Sequence, residues 1–143
     1  MFVKAGGDAN ATIEVYAESD IDVTFVLVGY WDTPPGTYVE AATDLGPAAA
    51  DETWGDVDLS AFGVPALAVA QIVIANGQGD GHYMQGLREN GSSLARLLDL
   101  HEAESGGLDA ATMHVTADNN SVIERYHQDV SKGHLFLLLG YWQ

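Results

Sequence analysis

The sequence predicts an all-β protein, an antiparallel two-sheet sandwich of eight to ten short strands with jelly-roll-like winding. Three observations predict it. Segments that alternate apolar and polar residues recur along the chain, as in Ala11–Ala17 (ATIEVYA) and Ala111–Ala117 (ATMHVTA). Clusters of Gly, Pro, Asn and Asp interrupt these segments at the roughly 8–12-residue spacing of a sandwich. No stretch carries the apolar stripe of a convincing amphipathic helix.

The elements follow in order. Residues 1–9, with two alanines around a Gly pair, read as an arm. Ala11–Ala17 turns Ile13, Val15 and Ala17 to one face, Ser19-Asp20 makes a turn, and Ile21–Trp31 (IDVTFVLVGYW) is rich in β-branched and aromatic residues. That pattern predicts a hairpin. Asp32–Gly36 (DTPPG) is a stiff connector, because Pro removes a ladder donor and fixes its own φ. A short strand is expected at Tyr38–Ala42, and the Ala-rich run to Asp51 reads as loop.

From Trp54 the pattern predicts a strand through Val57 and Leu59, a turn at Gly63-Val64-Pro65 and a buried strand at Leu67–Ala75. Asn76–Gly81 (NGQGDG) is a flexible turn and Tyr83–Glu89 a strand. Asn90-Gly91 is a strong two-residue hairpin signal, leading into a strand at Leu94–Leu100. Glu102–Leu108 is loop, Ala111–Ala117 a strand, and Asp118-Asn119-Asn120 the turn into a final hairpin.

That last segment, Asn120–Trp142, repeats Asn10–Trp31 with nine identities over about 22 positions and one insertion, and a tenth match, Asp20 with Asp129, at a one-residue shift. Ile13-Glu14 matches Ile123-Glu124, Tyr16 matches Tyr126, and Gly29-Tyr30-Trp31 matches Gly140-Tyr141-Trp142. Two organisations account for it. Either residues 10–31 end a preceding module and seek a sheet edge elsewhere, or both copies belong to one duplicated sandwich. The Pro-Pro-Gly break favours the first. It divides the chain into residues 1–36, an arm, hairpin and connector, and residues 37–143, a β-sandwich module.

Composition narrows the function. At 143 residues with 47% hydrophobic content, the chain can bury a sizeable core. Its 21 acidic residues face only five basic ones, a formal net charge of -16, so nucleic acid and anionic membranes are excluded as partners. There is no cysteine, hence no disulfide or thiolate chemistry. No apolar run has the length of a signal peptide or a membrane span, which leads us to expect synthesis in the cytoplasm.

The residues also lack a catalytic signature. His82, His101, His114, His127 and His134 include no i,i+2 or i,i+4 pair and no HExxH. Gly91-Ser92-Ser93 has no nucleophile-elbow frame and reads as a hydroxyl-capped turn. The carboxylate pairs Asp56/Asp58 and Glu102/Glu104 are expected by chance in so acidic a chain. Asn76-x-Gln78-x-Asp80-Gly81 opens like a calcium loop, but Leu87 stands at the twelfth position where an EF-hand needs Glu. No cofactor is expected; a looser Ca²⁺ site through Asp80 or Asp118 is the one metal alternative. The aromatics carry more promise. Phe2, Tyr30, Trp31, Trp54, Tyr141 and Trp142 are the interface candidates, since Trp and Tyr seal sandwich ends and fill subunit contacts.

Trp54-x-Asp56-Val57-Asp58-Leu59-Ser60, Val64-Pro65-x-Leu67-Ala68, Leu87-Arg88-x-Asn90-Gly91-Ser92-Ser93, Ile123-Glu124-x-Tyr126 and Leu139-Gly140-Tyr141-Trp142 together resemble β-sandwich modules in virion structural proteins of tailed bacteriophages. The resemblance spans Thr53–Trp142 and rests on core and turn residues rather than chemical motifs. It implies a non-enzymatic assembly role on the virion surface, most simply a capsid decoration or cement protein. The implied partners are the major capsid protein, other virion proteins and further copies of the chain in a homo-oligomer. The alternative it implies is a carbohydrate- or host-receptor-binding module of a fibre or appendage, with a glycan as partner.

Overall fold

A computed structural model describes residues 36–48, 50–76, 81–102, 109–132 and 134–143, all within the unit Thr33–Gln143. The arm, the segment 10–31 and most of the connector, with the candidates Phe2, Tyr30 and Trp31, lie outside the described residues. Eight strands are described: β1 Tyr38–Asp44, β2 Gly55–Asp58, β3 Val69–Asn76, β4 Gly81–Glu89, β5 Leu97–Glu102, β6 Asp109–Thr116, β7 Val122–His127 and β8 His134–Trp142. They form two antiparallel four-stranded sheets, ordered β1-β8-β3-β6 and β2-β7-β4-β5. The two-sheet sandwich expected from the alternating pattern is what forms.

The order has a simple generator. The first strand pairs with the eighth, the second with the seventh, the third with the sixth and the fourth with the fifth, and the pairs alternate between sheets. A long antiparallel ribbon wrapped around a core gives this order, which is jelly-roll winding. The strand directions bring the C-terminal ends of β1, β3, β5 and β7 to one end of the sandwich, and the connections after β2, β4 and β6 to the other.

Local sequence explains each boundary. β2 stops at Asp58, earlier than its apolar pattern suggests, because Leu59–Phe62 makes a 3-10 turn. The Asp58 carboxylate accepts from the Ser60 amide at 2.9 Å, and Gly63 closes the turn at φ 79, where only glycine is unstrained. The turn drops Leu59 into the core. β5 starts at Leu97 rather than Leu94, so the Asn90-Gly91 turn opens a longer connection. Arg96 anchors that connection by donating to the His114 carbonyl at 2.9 Å.

Asn120–Trp142 is not a hairpin. β7 pairs with β2 and β4, while β8 pairs with β1 and β3, so the two strands part at a corner and enter different sheets. Alternation along each strand is the same in either arrangement, which is why the pattern reads as a hairpin. β8 also carries a bulge: Gly140 faces Gln71 while Leu138 faces Ile72, leaving Leu139 over. The extra residue reverses the alternation, so Phe136 and Leu138 point inward and so does Tyr141. Trp142 then points out.

The core lies between the sheets. Ala70, Ile72, Ile74, Val115, Phe136 and Leu138 from one sheet meet Val57, Leu87, Leu100 and Ile123 from the other. At the loop end the interior turns polar. Asn76 donates to the Leu100 carbonyl at 3.1 Å, Gln85 to the Ala75 carbonyl at 3.2 Å, and the His127 ring meets Phe136 edge-on at 6.5 Å.

Candidate functional site

The outer face of the β1-β8-β3-β6 sheet carries an aromatic patch. Register places Tyr38 opposite Trp142 and Gln71 between Gly140 and His114. The Tyr38 and Trp142 rings lie 4.7 Å apart, and His114 packs 5.6 Å from Trp142. The Tyr38 hydroxyl donates to Gln71 Oε1 at 3.0 Å. Burial lowers the pKa of His114 from its ordinary 6.5, helped by the Arg96 charge, so the ring is neutral at pH 7. Slight burial raises the pKa of Tyr38, with Glu40 adding to it, so its hydroxyl keeps its proton. The patch is therefore uncharged on a chain of net charge -16.

The opposite sheet has its own aromatic patch. Trp54, just before β2, packs 5.5 Å from Tyr126 of β7. The Arg88 guanidinium stacks 4.1 Å from the Trp54 ring centre and donates to Glu124 at 2.6 Å. Gly86 sits opposite Tyr126, and at the β4–β5 edge His82 meets Asp99 at 3.2 Å with both side chains mostly in solvent.

Trp54 and Trp142 thus lie on opposite outer faces, and the structure does not bring them together. Tyr141, expected at an interface, is 8% exposed and belongs to the core; the β8 bulge turns it inward. Sequence reasoning missed Tyr38, Gln71 and Tyr126. Tyr126 is a repeat identity and was open to detection, whereas the Tyr38–Trp142 contact depends on pairing between strands at opposite ends of the module. Two exposed leucines, Leu67 and Leu94, stand at the end formed by the β2–β3 and β4–β5 connections.

Two of the residues weighed for chemistry, Ser92 and Asp118, make turn hydrogen bonds. Ser92 Oγ accepts from the Leu94 amide at 3.2 Å, the capped turn expected. Asp118 accepts from the amides of Asn120 and Val122, each at 2.8 Å, and from the Asn90 amide group at 2.8 Å. Its carboxylate is thereby committed to N–H donors. Asp80 and Glu104 lie outside the described residues. Among the described residues no three His, Asp or Glu side chains are gathered as metal ligands.

The cations of the described residues are committed to folding contacts as well. Arg88 holds Trp54 and Glu124, and Arg96 holds the His114 carbonyl. Arg125 donates to the Leu45 and Gly46 carbonyls at 2.8 and 2.7 Å, fastening the β1–β2 loop. Lys132 sits 6.0 Å from the Tyr83 ring centre. Over the whole chain, acidic residues outnumber basic ones by 21 to five.

No protein-family model matches the chain, and no curated protein is significantly similar to it.

Proposed function

We propose that the protein is a non-enzymatic structural component of a tailed-phage particle, a capsid decoration or cement protein that binds the head surface and neighbouring subunits. The observation behind this reading is the pair of aromatic patches, Tyr38/Trp142 and Trp54/Tyr126, on opposite outer faces of one sandwich. A protein with one sticky face can coat a surface. One with two can bridge neighbours, which is what cementing requires. Tyr and Trp suit this work because each buries a large rigid area with little side-chain entropy lost. The chain's net charge of -16 disfavours anionic partners and keeps densely arrayed copies soluble. The jelly-roll winding adds support, since capsid proteins use it widely.

The test is co-sedimentation with source phage particles stripped of this chain. The wild-type chain is expected to bind saturably, and Trp142→Ala and Trp54→Ala each to weaken binding at least about tenfold while the far-UV circular dichroism is unchanged. Absence of wild-type binding, or full binding by both variants, sinks the reading.

A glycan-binding role on a fibre is the second reading, favoured by the Gln71 amide beside the Tyr38 and Trp142 rings. Sugars stack on aromatic rings and hydrogen-bond to adjacent amides. A glycan array with signal abolished by Trp142→Ala and kept by Trp54→Ala would select it over the cement role.

A further inference from the structure

The repeat and the strand order together carry an inference that stands apart from the virion reading. In the C-terminal copy, β7 and β8 turn Ile123, Phe136, Leu138 and Tyr141 into the core. The upstream copy has Ile13, Phe25, Leu27 and Tyr30 at the matching places, all four identical. Gly29 matches Gly140, the position where the Tyr38 ring crosses the chain with no room for a Cβ. Val28 matches Leu139, so the upstream copy keeps the three-residue step from Leu27 to Tyr30 that the β8 bulge creates. Where the copies differ, the polar inward residues Arg125 and His127 are replaced by Val15 and Ala17, which suit an interior at least as well. The two copies share the core-facing residues and the bulge spacing together.

These are not the requirements of an edge strand. β7 is hydrogen-bonded on both sides, to β2 and β4, and β8 on both sides, to β1 and β3. A segment with this code needs two gaps, one inside each sheet of a sandwich, and the module at Thr33–Gln143 already fills both with its own β7 and β8. We propose that residues 10–31 are the β7–β8 pair of a second jelly roll. Their partner is a polypeptide segment that supplies the six strands equivalent to β1–β6. The recognition is strand insertion: backbone ladders on both sides of each strand give affinity, and the Phe25, Leu27 and Tyr30 side chains fill the partner's core. The six strands can come from the same polypeptide or from a separate chain.

The test uses the full chain with Asn120–Trp142 replaced by the sequence of Asn10–Trp31, beside a control carrying the same residues in scrambled order. The inference expects the chimera to unfold cooperatively in urea and to protect the amides of β1 and β3 from hydrogen exchange at least about a hundredfold better than the control. A chimera that is unfolded, or no better protected than the control, overturns it. The source of the partner strands is read from a second arm. The full chain is co-expressed with residues 33–119 as the six-stranded probe, with and without Phe25→Asp plus Leu27→Asp. Capture that depends on Phe25 and Leu27 assigns the partner to a separate chain. A folding chimera without such capture assigns it to the same polypeptide.

Discussion

The Tyr38 ring crosses the backbone of Gly140 so closely that a Cβ there would collide with the ring and with the Val39 carbonyl. Glycine is needed at this point for space, and the contact seats the aromatic patch on its sheet. Gly140→Ala should destabilise the module by about 2–3 kcal/mol, the range for overpacking a tight site. Urea denaturation measures it. Adding Tyr38→Ala should recover only part of the loss, because the Val39 carbonyl is backbone and cannot move aside. Full recovery would place the clash in the ring alone.

Arg88 joins Trp54 to Glu124 in a partly buried arrangement, with the ion pair about 15% exposed on either side chain. Its planar guanidinium stacks on the indole while its Nε–H points at the carboxylate, two contacts that an ammonium cannot make together. Arg88→Ala should cost about 2 kcal/mol, and Arg88→Lys should restore less than half of that. Equal stability of the Lys variant and the wild type would reduce the contact to a simple charge pair.

Much of this architecture was legible in the residues. Alternation at Ala111–Ala117 and the β-branched run before Ala75 marked β6 and β3, and turn residues such as Gly63 and Asp118 marked real chain reversals. The partition of β7 and β8 between two sheets was not legible, since a strand's own pattern does not record which neighbour it pairs with. The inward turn of Tyr141 was hidden for a related reason. It depends on the bulge at Leu139, an offset defined only against β1 and β3. Of the candidate surface, Trp54 and Trp142 were chosen by residue type, while Tyr38 and Tyr126 became partners only through register.

Acid should loosen the β6–β7 turn through Asp118. Hydrogen bonds from the Val122 amide, the Asn90 side chain and the Asn120 amide hold its folded pKa below the ordinary 3.8. A depressed carboxylate pKa means the stabilisation is complete above 3.8 and is lost as pH falls through the lower folded value. Asp118→Asn should therefore lower the urea midpoint at neutral pH, and the gap from wild type should narrow as the pH drops towards about 3. A gap that stays constant over that range would mean the charge contributes nothing.

Phe136 sits fully buried, with the Arg125 guanidinium 5.5 Å from its ring centre and its carbonyl accepting from the Leu45 amide at 2.8 Å. Phe136→Ala should cost about 4 kcal/mol through the cavity it leaves. Phe136→Leu, which refills most of the space, should cost less than half as much by the same denaturation measurement.

The strand order also dictates when the molecule can become itself. Tyr38 and Trp142 are direct neighbours in the sheet, although about a hundred residues of chain must be looped to bring them together. β8 lies inside its sheet rather than at the rim. During synthesis β1 and β3 therefore emerge with an open slot between them, and β8, the last strand, is the one that occupies it in the finished sheet. Until then the chain exposes unpaired strand edges beside a half-covered core, a state prone to wrong pairings. Such distant pairing belongs to the slow, millisecond-to-second end of folding. The heavy acidic charge has a second use in that interval: it keeps incomplete chains apart while each waits for its final strand.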